Sequence, residues 1–220
     1  MISRILKKSV ICSVISCILA AGLTTNAFAT TIVLDPGHGN ATKTNKGAYY
    51  EPYKEEELTL QLSQQIKEEL SQVEGLKVEL TRTTNDTDLT LQERADYAKS
   101  VGADYLISIH FNACGNHDRY GTEIWTSAYG KNYTTGLSLG SYILQQTTGL
   151  GLSCKSIRTR LGSNGDYYGI IRNGVANGIP TIILEQCYLD SPIDRAFLEN
   201  GTSDLAHADA VGIYNFLCAQ

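Results

Sequence analysis

Three runs in this chain are apolar with little interruption: Ile32–Leu34, Tyr105–Phe111 (YLISIHF) and Pro180–Leu184 (PTIIL). Runs of this kind, bounded by turn residues, read as strands buried on both faces. Between the first two, Leu58, Leu62, Ile66 and Leu70 recur every fourth residue within Glu55–Val73, with Gln, Glu and Lys between them. That spacing predicts an amphipathic helix, stopped near Gly75. Leu76–Thr81 alternates as a strand, and Leu91–Val101 is a second helix with Leu91, Ala95 and Ala98 on one side. Strand, helix, strand, helix, strand in this order predicts an α/β fold: a single domain with a mostly parallel twisted sheet and helices on both faces.

The rest of the chain continues the pattern less clearly. Thr122–Thr126 reads as a strand, and Thr134–Thr148 as a helix with Leu137, Ile143 and Leu144 inward. Leu150–Ile171 is Gly-rich, with short strands expected near Ser156–Arg160 and Tyr168–Ile171. Asp190–Asp194 is a turn around Pro192, and Leu205–Leu217 a closing helix. No internal repeat or low-complexity linker divides the 220 residues, a length that suits one domain.

The first residues belong to a leader. Arg4, Lys7 and Lys8 precede an apolar stretch from Ser9 to Leu23, and Ala27-Phe28-Ala29 is an A-x-A cleavage signal. Residues 1–29 are therefore expected to be a signal peptide and residues 30–220 the functional domain, which is secreted. The apolar run is short for a membrane span, so no stable membrane anchor is expected after cleavage. Val14-Ile15-Ser16-Cys17 resembles a lipobox, but Cys17 lies inside the apolar run. Loss of the three basic residues takes the formal net charge from −5 to −8. With a pI near 5.4, the chain is not expected to bind nucleic acid through phosphate contacts. Of the 6 cysteines, Cys114, Cys154, Cys187 and Cys218 remain, and in an exported chain they can pair in about three ways. Their spacing fits no C-x-x-C zinc pattern.

Each of the three buried strands runs into a polar group. His38 follows IVLDPG, His110 lies in LISIHFN, and Glu185 follows TIIL. Parallel strands share one carboxyl edge, where ligands sit in open α/β sheets, so these side chains converge there. Glu55 opens the first helix, whose N-terminus lies at the same edge. Gly37 and Gly39 flank His38 and leave space beside its imidazole. Two imidazoles and two carboxylates on one crest suit hydrolytic zinc chemistry: three ligands, an open position for water, and an acid to move the proton. Singly, each has a plainer reading: His38 or His110 as a hydrogen-bonded structural histidine, Glu55 as an acid favoured by the helix dipole. Glu185 is harder to explain structurally, since burying a carboxylate is costly.

The motifs DPGHGN, EEELTL, Thr81-Arg82, LQERADYAK, SIHFNA and IILEQ resemble the zinc-dependent N-acetylmuramoyl-L-alanine amidases of the amidase 3 family, in the family's order and from Thr31 to the last helix. The resemblance implies hydrolysis of the amide between N-acetylmuramic acid and L-alanine in peptidoglycan. It implies one Zn²⁺ held by His38, Glu55 and His110, with Glu185 catalytic. Glu55 takes its place from the register of E-x-x-aliphatic-x-L, with Glu56 and Glu57 as immediate neighbours. Asn40 stands where the family commonly has a glycine, and Gln186-Cys187-Tyr188 replaces its usual small and aromatic residues.

Other residues carry weaker expectations. Asn112 follows His110 by two and either hydrogen-bonds near the site or starts a loop. Arg172 either meets a substrate carboxylate or holds a structural ion pair. Arg82 and Arg94 are expected in charge pairs, and His117 and His207 at the surface. Tyr49, Tyr50 and Tyr53 border the loop between His38 and Glu55, as ordinary surface or as stacking partners for substrate. The expected partner is peptidoglycan, and the expected state a monomer. Two rival functions share the scaffold: a zinc peptidase or carboxypeptidase acting on peptides, and a noncatalytic wall-binding protein.

Overall fold

The computed structural model of the chain describes residues 29–40 and 42–220. The leader, apart from Ala29, lies outside the described residues, as does the side chain of Cys154. In chain order the elements are β1 (Thr30–Pro36), β2 (Tyr49–Tyr50), β3 (Tyr53–Lys54), α1 (Glu55–Leu70), β4 (Leu76–Leu80) and α2 (Leu91–Ser100). There follow β5 (Tyr105–Asn112), β6 (Thr122–Thr126), α3 (Gly130–Gly149), β7 (Cys154–Arg158), β8 (Leu161–Gly162) and β9 (Gly165–Asp166). The last three are α4 (Gly169–Ala176), β10 (Thr181–Tyr188) and α5 (Pro192–Cys218).

Six strands form one sheet in the order β4-β1-β5-β10-β6-β7. β4, β1, β5 and β10 are mutually parallel, while β6 runs antiparallel to β10 and parallel to β7. Strand periodicity sends alternate residues to opposite faces. Ile32, Leu34, Ile107, Ile109, Ile182 and Leu184 enter a large core with Leu58, Leu62 and Ile66 of α1, Leu139 and Ile143 of α3, and Leu205, Ile213 and Phe216 of α5. Val33, Leu106 and Ile183 enter a smaller core with Ala98 of α2 and Ile170 and Ile171 of α4. Helices therefore cover both faces of the sheet.

Three elements differ from the sequence reading. Tyr168–Ile171, expected as a strand, is the start of α4, because Ile170 and Ile171 are both needed in the smaller core. α5 begins at Pro192 rather than Leu205: Ser191 caps it, accepting from the Asp194 N–H at 3.4 Å, and Pro192 occupies its first turn. α3 begins at Gly130 and turns Leu137 outward, burying Leu139 instead. Gly136 lies so close to Thr126 and Ile182 that this helix face must meet the sheet. The thiols of Cys114, Cys187 and Cys218 are free.

Candidate active site

β1 ends at Pro36, and His38 takes a left-handed conformation (φ 64°) that swings its ring over the sheet edge. The turn carrying it is strapped by two buried arginines. Arg82 donates from Nε to the Pro36 carbonyl at 2.9 Å and from Nη2 to the Gly37 carbonyl at 2.8 Å. Arg94 pairs with Asp35 at 2.8 Å and donates from Nη2 to the His38 carbonyl at 2.7 Å. Arg94 thus makes the expected charge pair. Arg82 instead meets backbone carbonyls, Thr59 and Asn85, and burial holds its guanidinium down at about 10.

Glu55 is the first residue of α1, and its Oε1 lies 2.9 Å from His38 Nε2 and 3.1 Å from His110 Nδ1. The ligand atoms of the three residues all lie within 4.8 Å of one another. The two imidazoles meet edge to face at 4.8 Å between centroids. Two glycines are required for this approach. A Cβ on Gly37 would overlap the His110 ring, and one on Gly47 (φ +74°) would overlap the Glu55 carboxylate and the His38 ring. The backbone N–H of Ala48 donates to Glu55 Oε2 at 2.7 Å, and that of Phe111 to Oε1 at 3.2 Å. Glu57 points elsewhere, pairing with Lys54 at 2.7 Å, and the group that could hold an ion takes in Glu55 rather than Glu56.

The donor chemistry suits a cation. His38 Nδ1 donates to Asn45 Oδ1 at 3.2 Å, and Asn45 in turn donates to Asp88 at 3.1 Å. With that proton on Nδ1, His38 turns the Nε2 lone pair toward a carboxylate oxygen, which His110 Nδ1 also faces. Three lone-pair groups around one point repel unless a positive charge lies among them. Without an ion, the two histidines and Glu55 influence one another's charge. Burial opposes ionisation of Glu55, yet the two histidines hold its carboxyl well below the usual range. Burial opposes charge on His110, yet Glu55 and the nearby acids raise it. By the chemistry of their donor atoms, His38, Glu55 and His110 fit a divalent metal ion.

Glu185 stands opposite His110 on β5 and opposite Glu123 on β6. A bulge follows it, so that Tyr188, rather than the next residue in register, pairs with Asn112. Its Oε2 is buried with no hydrogen-bond partner among the described residues. Burial pushes the carboxyl up to about 7; His110 opposes the shift and Glu55 and Glu123 add to it. Asn112 reaches the site indirectly, donating to Glu123 Oε1 at 3.0 Å. Arg172 lies outside the cluster, in the first turns of α4, with Nη1 on the Asp166 carbonyl at 2.7 Å. His117 and His207 pair with Asp190 and Glu69, away from the cluster. Sequence reasoning missed Asn45 and Glu123, which sit in a polar loop and on an edge-side strand with no motif to flag them.

An α/β sheet that gathers two histidines and a glutamate on its carboxyl edge, with a second glutamate beside them, presents a candidate metal site. Residues 32–215 match the family model of N-acetylmuramoyl-L-alanine amidases, Amidase_3, and the chain belongs to that family. The catalytic domain of CwlV, an N-acetylmuramoyl-L-alanine amidase from Bacillus (Paenibacillus) polymyxa var. colistinus, superposes with a TM-score of 0.72 at 26% identity, covering 87% of this chain and 99% of that one. Cwp6 from Clostridium difficile superposes with a TM-score of 0.73 at 29% identity, covering 84% of this chain and 28% of that one. The probable cell wall amidase LytH of Staphylococcus epidermidis is 28% identical over 170 residues, 77% of this chain and 52% of the relative. The chain thus spans about half the length of that curated relative.

Proposed function

We propose that this chain hydrolyses the amide between the lactyl group of N-acetylmuramic acid and L-alanine of the peptidoglycan stem peptide. The observation that carries this reading is the gathering of His38, Glu55 and His110 within 4.8 Å beside Glu185, in a chain of the amidase family. His38, Glu55 and His110 hold one Zn²⁺. When bound, the ion supplies a Lewis acid for the scissile carbonyl and lowers the pKa of water to about 7.

The remaining work belongs to the chain's own groups. Asn45 fixes the His38 tautomer and Gly37 lets the His110 ring approach. Glu185 takes the proton of the attacking water and returns it to the departing L-alanine nitrogen. Burial, which favours the protonated form of Glu185, suits it to returning the proton as well as taking it. Asn112 orients Glu123 beside this acid, and Arg172 serves the substrate. Export under a cleaved leader, residues 1–29, would bring the domain to the cell wall, where it acts as a monomer.

Replacement of Glu185 by Ala is expected to lower muropeptide hydrolysis by at least about 10²-fold while zinc per chain stays unchanged. Wild-type turnover in that variant would contradict the assignment. Release of a free L-alanine amino terminus separates the amidase from a peptidase cutting within the stem.

A further inference from the structure

A second group of polar residues lies off the metal cluster. β8 and β9 form a short antiparallel hairpin, preceded by Arg160 and followed by Tyr167 and Tyr168. The hairpin is pinned at its base: the buried Asp166 carboxylate accepts from Ser127 Oγ at 2.8 Å and the Ala128 N–H at 2.9 Å. Arg172 Nη1 donates to the carbonyls of Asp166 at 2.7 Å and Tyr167 at 3.3 Å. The Arg160 guanidinium lies over the Tyr167 ring, 3.6 Å from its centroid. Both arginines line an open cleft of ≈ 530 Å³, together with Ser163, Asn164 and Tyr167.

Neither arginine has a carboxylate within salt-bridge distance among the described residues, and there Nε and Nη2 of Arg172 meet no acceptor. Carboxylates are not scarce, since 23 acidic residues face 18 basic ones in the whole chain. The neighbouring Arg158 does reach an acid, Glu123, at 3.5 Å. Two guanidinium groups on one cleft, without a carboxylate partner among the described residues and partly immobilised, Arg160 by Tyr167 and a hydrogen bond with Tyr168, suit a planar carboxylate, which arginine binds bidentately.

The cleft's position says which part of a substrate it meets. α4 runs back toward the start of β10 through a four-residue connection, Asn177–Pro180. Eight helical residues rise about 12 Å, and the four steps from Thr181 to Glu185 about 13 Å. The N-terminal end of α4 therefore comes level with Glu185. Tyr168, its cap, packs on Trp125 at 5.0 Å, and Trp125 pairs with Ile183, one pleat before Glu185 on the same face. The acid that protonates the leaving nitrogen thus lies between the metal cluster and the cleft. Whatever extends beyond that nitrogen, the peptide rather than the glycan, runs toward Arg160 and Arg172.

Resting on the amidase reading, we infer that Arg160 and Arg172 form a subsite for a free carboxylate of the stem peptide, close after the leaving alanine. A γ-linked second residue presents such a group as its α-carboxylate, and amidation of that carboxylate removes the charge. The subsite therefore discriminates between acidic and amidated stems.

The test uses two muramoyl tripeptides that differ only in a carboxylate or a carboxamide at that position. The zinc-loaded wild type is expected to favour the acid about tenfold in kcat/KM, mainly through KM. Arg160→Met and Arg172→Met are expected to abolish the preference, the acid substrate losing about tenfold more in kcat/KM than the amide does. Arg172→Lys is expected to restore part of it. Equal turnover of acid and amide by the wild type, or equal losses on both in the variants, would overturn the subsite. Binding of the two free peptides to the same proteins is measured alongside. If neither muramoyl substrate is cut at the muramoyl–alanine bond, the amidase reading fails. Tighter binding of the acid peptide, lost in the variants, then still supports a carboxylate site, and equal binding removes it.

Discussion

At the scale of single residues, the site is held by groups that never touch the metal position. Asn45 is one: it accepts from His38 Nδ1 and is itself tied to Asp88, to which Thr42 also donates. Partners of this kind set ring orientation and ligand basicity. Asn45→Ala is expected to weaken zinc binding about 10–100-fold, measured by competition with a chromophoric chelator, with the fold intact. His38, His110 and Glu185 were legible because each interrupts an apolar strand where nothing structural calls for a charged or imidazole group. Asn45 was not, because its role depends on a tertiary approach between loops that no periodicity encodes. Glu123 was hidden for a different reason: its strand runs antiparallel, so the residue that meets Glu185 lies near the strand's start rather than at its end.

At the scale of elements, α2, whose start carries strong local chemistry, was read correctly, and α4, which relies on packing, was not. α2 starts at a reciprocal capping box: the Glu93 N–H donates to Thr90 Oγ1 at 3.2 Å and the Thr90 N–H to Glu93 Oε2 at 2.8 Å. Because α2 also positions Arg94 on Asp35 and His38, its first turn matters to the site. Thr90→Ala is expected to cost about 1 kcal/mol, seen as a lower urea midpoint at unchanged slope. α4 and the first half of α5 were misread for different reasons, since Ser191 and Pro192 do mark the start of α5. A short run such as Gly169-Ile170-Ile171 fits strand and helix equally, and only burial against the sheet decides. In α5, Gly201, Thr202 and Ser203 weaken helical propensity midway, yet the element continues because Leu198 and Leu205 pack into the large core on either side.

At the scale of the whole molecule, the sheet joins the site to the core through β10, whose Glu185 faces the cluster while Gln186 turns inward. Gln186 donates from Nε2 to Asp209 of α5, and both side chains are fully buried. Burial pushes the Asp209 carboxyl up to about 8, against the opposing effect of the Gln186 bond. The acid is therefore neutral in the fold over a range where the unfolded chain ionises it. Its contribution to stability is complete below the ordinary aspartate value of 3.8 and is lost as pH rises toward about 8. Asp209→Asn removes the titration. The variant is expected to gain on the order of 1–3 kcal/mol over wild type between pH 5 and pH 8, read from urea midpoints at the two pH values. An unchanged difference would show that Asp209 does not titrate in that window. The proposed activity is the cutting of one bond with the help of one metal ion. The most direct measurement is mass analysis of the fragments released from purified peptidoglycan by the zinc-loaded protein, with and without prior chelation. The expected result is stem peptides with a free L-alanine amino terminus and glycan with intact lactyl groups, absent after chelation and restored by zinc. Cleavage that persists without metal, or falls at any other bond, would contradict it.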